Sequence, residues 1–293
     1  MTLKCALTNI VLLFSTFLFG QNSILWKVTN PNSKHTSYLL GTYHLFGESF
    51  IDSFSMITET LKSTDLVVTE TKIDRTKAAA YYNSRPFSDT LLSILPKTDI
   101  DFIAALFKSW KGQIDITKLT PGELFLKLQA LYAKFKCAAI NKSDSFSMDE
   151  YFQYLAKVEK KQQYYFETDS FQLEKLTEAT AIYDWKFFKK NVPPLIDKYR
   201  KDEPNENLCS FANDYASLAI DYKIEEPCNL LKNSNMNDVL LKKRNEDWIQ
   251  KLPNLLENKN CFIAVGLAHL FNKCGLISQL TGLGYVVEPV KMK

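Results

Sequence analysis

The chain contains three histidines, and two of them stand in the same short setting. Residues 39–46 read LLGTYHLF and residues 264–271 read AVGLAHLF. Each gives two apolar residues, a glycine, two further residues, then His, Leu and Phe. Each glycine closes an apolar run of strand character. A glycine there permits a sharp turn or a close approach by another group. A histidine three residues later falls in the loop at the strand's C-terminal end, where open α/β sheets bind ligands. One such motif would read as a core histidine with apolar flanks. Two copies that use His44 and His269 out of three histidines argue for a site. His35 has no such setting and is expected to be an exposed loop residue.

Carboxylates fall at matching places. Leu66–Thr69 (LVVT) is a short β-branched run followed by Glu70. The order strand, helix, strand from Thr36 to Thr69 predicts a βαβ unit with parallel strands. His44 and Glu70 then share one edge of the sheet. Glu167 closes Gln163–Glu167 (QYYFE), a predicted short strand, and His269 follows another. Two histidines with one or two carboxylates at one rim suit ligation of a divalent metal or direct activation of water. In the metal version His44, Glu70 and His269 are the ligands and a fourth position stays open to water. Glu167 is then a base or orients a histidine, and Arg244 stabilises an oxyanion or fixes a glutamate. Arg244 lies on the apolar face of MNDVLLKKRNEDWIQKL with Leu240, Leu241, Trp248 and Leu252. An inward arginine needs an anionic partner, so it could orient a site glutamate or hold a carboxylate substrate; the plain alternative is an arginine snorkelling at the stripe edge. For Glu70 the plain alternative is a capping or solvent-facing glutamate.

The elements that must position these residues are legible in outline. Ile24–Val28 and Thr36–Gly41 flank Asn-Pro-Asn-Ser and read as a hairpin. Helical periodicity covers Phe50–Lys62. Thr120-Pro121 is a helix start, and Asp99 a cap before another helix. Asp149–Val158 reads as a helix. Residues 170–250 are mostly helical, with breaks expected at Val192-Pro193-Pro194, Glu203-Pro204 and Pro227. The chain closes with a strand at Cys261–Val265, a helix at Lys273–Leu280 and a strand at Tyr285–Val290. The expected fold is α/β: a mixed sheet with βαβ units at both chain ends and a large helical middle region. Residues 21–293 form one domain with a helical insertion at about 90–245.

Composition narrows the function classes. The 293 residues are 46% hydrophobic and 24% charged, which is globular rather than disordered. A net charge of +3 lacks the concentrated basic face that nucleic acid needs. No apolar run reaches the roughly 20 residues of a membrane span. Lys4 followed by the apolar run Ile10–Gly20 predicts a signal peptide over residues 1–20, with cleavage after Gly20 and a periplasmic or secreted mature chain. Without Cys5 that chain keeps five cysteines, an odd number. Cys209 and Cys228 flank a helix-like stretch and could pair, Cys261 with Cys274 is a poor geometry, and at least one thiol stays free. There is no H-E-x-x-H, G-x-S-x-G, P-loop or dinucleotide glycine pattern.

These motifs resemble the TraB/GumN family, which includes the Wnt-cleaving TIKI proteases. The resemblance runs from about Leu25 to the C-terminus. It rests on GTYH at Gly41–His44 and GLAH at Gly266–His269, with TET at Thr69–Thr71, MDEYF at Met148–Phe152, FETDSFQ at Phe166–Gln172 and KRNEDW at Lys243–Trp248. The tail GLISQLTGLGYVVEPV is similar to the family's closing helix and strand. Asn272-Lys273-Cys274 stands where the family has a glycine-containing turn. The resemblance implies a metal-dependent protease using the two G-x-x-H histidines and a glutamate, with manganese or cobalt favoured and zinc a further option. It also implies an EreA/ChaN-like fold. That fold group includes erythromycin esterases, which act on water without a required metal, and a haem-binding lipoprotein. Carried onto this sequence, His44, Glu70 and His269 are the core, supported by Glu167 and Arg244. The expected function is an exported hydrolase of a peptide or small ester. The alternative is a non-catalytic envelope protein that binds haem or another ligand.

Overall fold

The computed structural model describes residues 22–109, 113–203, 205–228 and 234–292; the predicted signal peptide and its cleavage site lie outside them. Six strands form one mixed sheet: β1 (Leu25–Thr29), β2 (Thr36–Thr42), β3 (Leu66–Thr69), β4 (Gln162–Tyr165), β5 (Cys261–Gly266) and β6 (Val286–Pro289), in the order β4-β3-β5-β2-β1-β6. The four strands from β4 to β2 run parallel, while β1 is antiparallel to both β2 and β6. β5 is apolar and buried at all six positions, as a central parallel strand covered on both faces must be. The edge strands β4 and β6 are polar or exposed.

The predicted hairpin and βαβ unit are present, with one topological addition. β5, which arrives almost 200 residues after β3 in sequence, inserts between β3 and β2. The loops that follow β2 and β5 therefore adjoin, and the loop after β3 flanks them. β4 pairs with β3, so the helical middle region itself contributes a strand to the sheet. His35 lies in the β1–β2 turn half-buried rather than exposed, its N–H donating to Ser33 Oγ at 3.2 Å.

Several helix boundaries differ from expectation for identifiable reasons. Phe50–Lys62 is two helices, Glu48–Asp52 and Ser55–Ser63, because Ser53 Oγ donates to the Phe50 carbonyl and ends the first. The expected break at Val192-Pro193-Pro194 is absent: one helix runs from Trp185 to Arg200. The two prolines leave the carbonyls of Lys189 and Lys190 without N–H partners, but those residues face water. Burial of Phe188, Val192, Leu195 and Ile196 along one face holds the helix together. The helix Pro121–Lys136 starts at Thr120 with a full capping box.

Two disulfides join the parts: Cys137 to Cys209 and Cys228 to Cys274, with Cα separations of 5.3 and 5.4 Å. The expected Cys209–Cys228 pair is not formed. Cys209 lies on the helix Glu206–Ala216 facing the end of Pro121–Lys136, whereas Cys228 lies beside the loop after β5. Among the described residues Cys261 is the free thiol, and burial pushes it up to about 11. No helix among them is long and apolar enough to cross a membrane.

Candidate functional site

A cleft of about 720 Å³ opens where the helical middle region meets the carboxyl edge of the sheet. His44, Glu70, Arg244, Gly266 and His269 all line it. The register of β2 on β5 explains why the two similar motifs build different surroundings. Gly41 pairs with Val265 and Thr42 with Gly266, so the two copies are out of step by one residue. A one-residue offset turns equivalent positions to opposite faces of a sheet. A Cβ on Gly41 would strike Leu267 Cδ1 at 2.5 Å and Leu270 Cδ1 at 2.9 Å, inside the core. A Cβ on Gly266 would instead stand in the cleft, 3.2 Å from Glu70 Oε1, 3.5 Å from His44 Nε2 and 3.7 Å from His269 Cδ2. The missing side chain at Gly266 leaves an opening bordered by all three candidate residues.

His44 stands at the mouth of this opening with its side chain 61% accessible. Its Nδ1 donates to Asp149 Oδ2 at 2.5 Å, and the other Asp149 oxygen accepts from Thr42 Oγ1 at 2.8 Å. The Asp149 charge is the largest cause that pushes His44 up to about 9. Nε2 makes no hydrogen bond among the described residues and faces the Gly266 opening. A carboxylate behind a histidine fixes the ring's tautomer and orientation and stabilises its protonated form.

His269 is 3% exposed and differently held. Asn245 Nδ2 donates to the carbonyls of His269 and Cys274, at 3.0 and 2.8 Å. That orients its Oδ1 to accept from His269 Nδ1 at 2.6 Å. Nε2 is then the acceptor and takes a hydrogen bond from Arg244 Nη1 at 3.2 Å. Burial pushes His269 down to about 3, and the positive charges of Arg244 and His44 act in the same direction against Glu70. This imidazole is neutral, with the Trp248 ring 4.3 Å from its own.

Arg244 holds the buried side of the cluster. One π turn over Asp238–Lys242 precedes the helix Lys243–Asn258, a feature common at functional sites. From there the guanidinium spends all its donors: on Glu167 through Nε and Nη2, on Glu70 Oε2 through Nη2 at 2.6 Å, on the Leu240 carbonyl and on His269 through Nη1. It also lies 4.7 Å from the Trp248 ring centroid. Of the roles expected for it, fixing the glutamate matches this geometry, because no N–H remains for an oxyanion or a substrate carboxylate. Glu167 stands behind Arg244, bonded to it and to Trp248 Nε1, and does not line the cleft. It is placed neither to act as a base nor to orient a histidine. Burial would raise the Glu70 carboxyl, but the charges of Arg244 and His44 and the Gly266 N–H outweigh it and bring it down to about 2. Gln172 Nε2 and the Gly266 N–H complete its bonding at 2.9 and 2.7 Å.

The expected three-ligand metal set does not fit this arrangement. The one lone pair of His269 Nε2 is taken by a guanidinium that also holds Glu70, so an ion there would sit against a fixed positive charge. Among the described residues no group of three His, Cys, Asp or Glu side chains converges to hold a metal ion. His44 Nε2 and Glu70 Oε1 face the opening together.

The residues that sequence reading missed are those that orient others. Asp149 carried a signal. Ser147 and Glu150 form the capping box of the helix Met148–Val158, which leaves the adjacent Asp149 with no capping duty, yet it is 6% exposed. Asn245 and Gln172 lie inside KRNEDW and FETDSFQ, but nothing in their spacing marks them. Asn272 meets the departure after His269 by taking φ 58°, a conformation asparagine tolerates where glycine is usual.

Fold and cluster together define a class: an α/β protein with two glycine-histidine loops joined to a buried arginine and two glutamates at the carboxyl edge of a mixed sheet. The model of the TraB/PrgY/gumN family matches residues 24–289, nearly the whole chain, and the chain belongs to that family. No curated protein and no solved structure matches it.

Proposed function

We propose that this protein is an exported hydrolase of peptide or ester bonds in which His44 activates water. The observation that carries this reading is the state of His44: one ring nitrogen held by a buried carboxylate, the other unbonded and facing an opening beside Glu70 Oε1. Water in that opening lies within reach of both atoms. His44 Nε2 takes its proton as the oxygen attacks the carbonyl carbon, and Asp149 stabilises the imidazolium. The same proton then passes to the leaving amine or alcohol. Glu70 orients the water; with Arg244 beside it, it is too weak a base to take the proton. His269, Arg244, Glu167 and Trp248 keep Glu70 in place. The two disulfides support export, since such bonds persist in oxidising compartments.

The test is hydrolysis of a panel of peptides and aryl esters by the oxidised protein, with and without chelator. Activity that survives chelation and falls at least about a hundredfold in His44→Ala supports the reading. Activity abolished by chelation and restored by manganese, cobalt or zinc returns the metal-dependent version, in which His269 must leave Arg244. No turnover, with tight binding of haem or another ligand at His44, favours the non-catalytic alternative.

A further inference from the structure

Phe107, Ile114, Leu173 and Leu176 give part of the cleft lining an apolar character, and Lys127 lines the cleft with them. Lys127 lies on the helix Pro121–Lys136, between the buried Leu124 and Leu128. Its Nζ sits 4.7 Å over the Tyr82 ring, and Tyr82 is 1% exposed. The carboxylate one turn back, Glu123, is fully engaged. Both of its oxygens accept from Arg85, and it also accepts from Thr177 Oγ1 and the Thr120 N–H. Lys127 Nζ therefore makes neither a hydrogen bond nor an ion pair among the described residues.

Arg75, Arg244 and Lys134 of the lining are already served, and His44 is held by Asp149 through Nδ1 alone. Arg75 is paired with Glu150, Arg244 with Glu70 and Glu167, and Lys134 donates to the carbonyls of Leu45 and Asn141. Lys142 is exposed to water. Burial lowers Lys127 from its ordinary value by more than the Glu123 charge raises it, with the Arg85 charge acting the same way as burial. A half-buried ammonium over an aromatic ring, beside a carboxylate whose oxygens are already engaged by Arg85, Thr177 and Thr120, is costly to keep. An anion delivered to it on an apolar body would restore its lost solvation and fill the surrounding wall.

We infer that the ligand of this cleft carries a carboxylate on an apolar body, and that Lys127 is the residue that binds the carboxylate. The inference rests on the cleft being a substrate site, and it names the class of substrate: an acyl or peptidyl chain ending in a free acid, reaching from Lys127 toward His44. Lys127 is here a specificity residue with no part in bond cleavage.

The experiment is calorimetric titration with two probes of equal size, N-acetyl-phenylalanyl-leucine as free acid and as C-terminal amide. Wild-type protein is expected to bind the acid at least about tenfold more tightly than the amide, the scale of one charge-assisted hydrogen bond. Lys127→Met, which keeps the apolar stem, should bind both alike, and Lys127→Arg should keep the preference. His44→Ala should keep it too, so that loss of hydrolysis and loss of anion recognition remain separate results. Equal binding of acid and amide by the wild type overturns the inference without any variant. So does a preference retained in Lys127→Met, or no binding of either probe at millimolar concentration.

Discussion

GTYH and GLAH look like two copies of one device, yet they end in opposite states. His44 is water-facing, bound to a carboxylate and pushed up to about 9. His269 is enclosed, bound to an amide and a guanidinium, and pushed down to about 3. The glycines diverge as well: Gly41 makes room for leucines of the core, and Gly266 makes room in the cleft. The lesson is that a repeated motif specifies a turn, and its neighbours specify the chemistry. In the proposed hydrolysis, histidines with such separated proton affinities would divide labour, one exchanging protons and one holding a fixed tautomer.

The largest expected contrast comes from removing each histidine. His44→Ala should lower hydrolysis at least about a hundredfold and lower the melting temperature less than His269→Ala does, since His44 is the water-facing one. His269→Ala should also unfold more easily, by about 2–4 kcal/mol, because it leaves a cavity and unpaired polar groups on Arg244 and Asn245. Equal losses of melting temperature in the two variants would erase the distinction.

The glycines should separate the same way on a smaller scale. Gly41→Ala forces a methyl into buried leucines and the Leu267 backbone, and should cost about 1–3 kcal/mol in denaturant unfolding. Gly266→Ala should leave stability nearly unchanged and reduce turnover about tenfold, by displacing Glu70 and the water. A Gly266→Ala enzyme with full turnover would show that the opening is not where water reacts.

The two histidines also predict different responses to pH. As a base, His44 works only when deprotonated, so activity should climb with pH and level off above about 9. A rate that instead falls through that range would make His44 an acid. His269 acts on stability. Its folded form refuses a proton that the unfolded chain accepts, so stability should hold above the ordinary histidine value of 6.5 and decline as pH falls toward about 3. Glu70 adds its own loss further down, as pH drops from 4.5 toward about 2. Unfolding curves that coincide at neutral and mildly acidic pH would count against a neutral His269.

The smallest effect is expected at Thr42→Val. It removes one hydrogen bond to Asp149, about 1 kcal/mol, and should lower turnover only a few-fold in steady-state assays. An unchanged rate would mean that Asp149 needs no support on that side.

Read alone, the sequence determined the local elements. β-branched and apolar runs, a Thr-Pro helix start and turn residues are decided by sterics and hydrogen bonds within a few neighbours, so the strands and the two histidine loops were legible. Arg244 was legible too, because helical spacing put it on the same face as Trp248 and Leu252. Tertiary structure decided the rest. The insertion of β5 between β3 and β2, and its one-residue offset from β2, depend on strand pairing across about 200 positions. Asp149 reaches His44 across 105 residues, and Arg244 reaches Glu70 across 174. Proton affinity follows from charge separation and solvent exposure, which are properties of folded space and not of neighbouring letters. That is why two nearly identical motifs became one exposed cationic histidine and one buried neutral one.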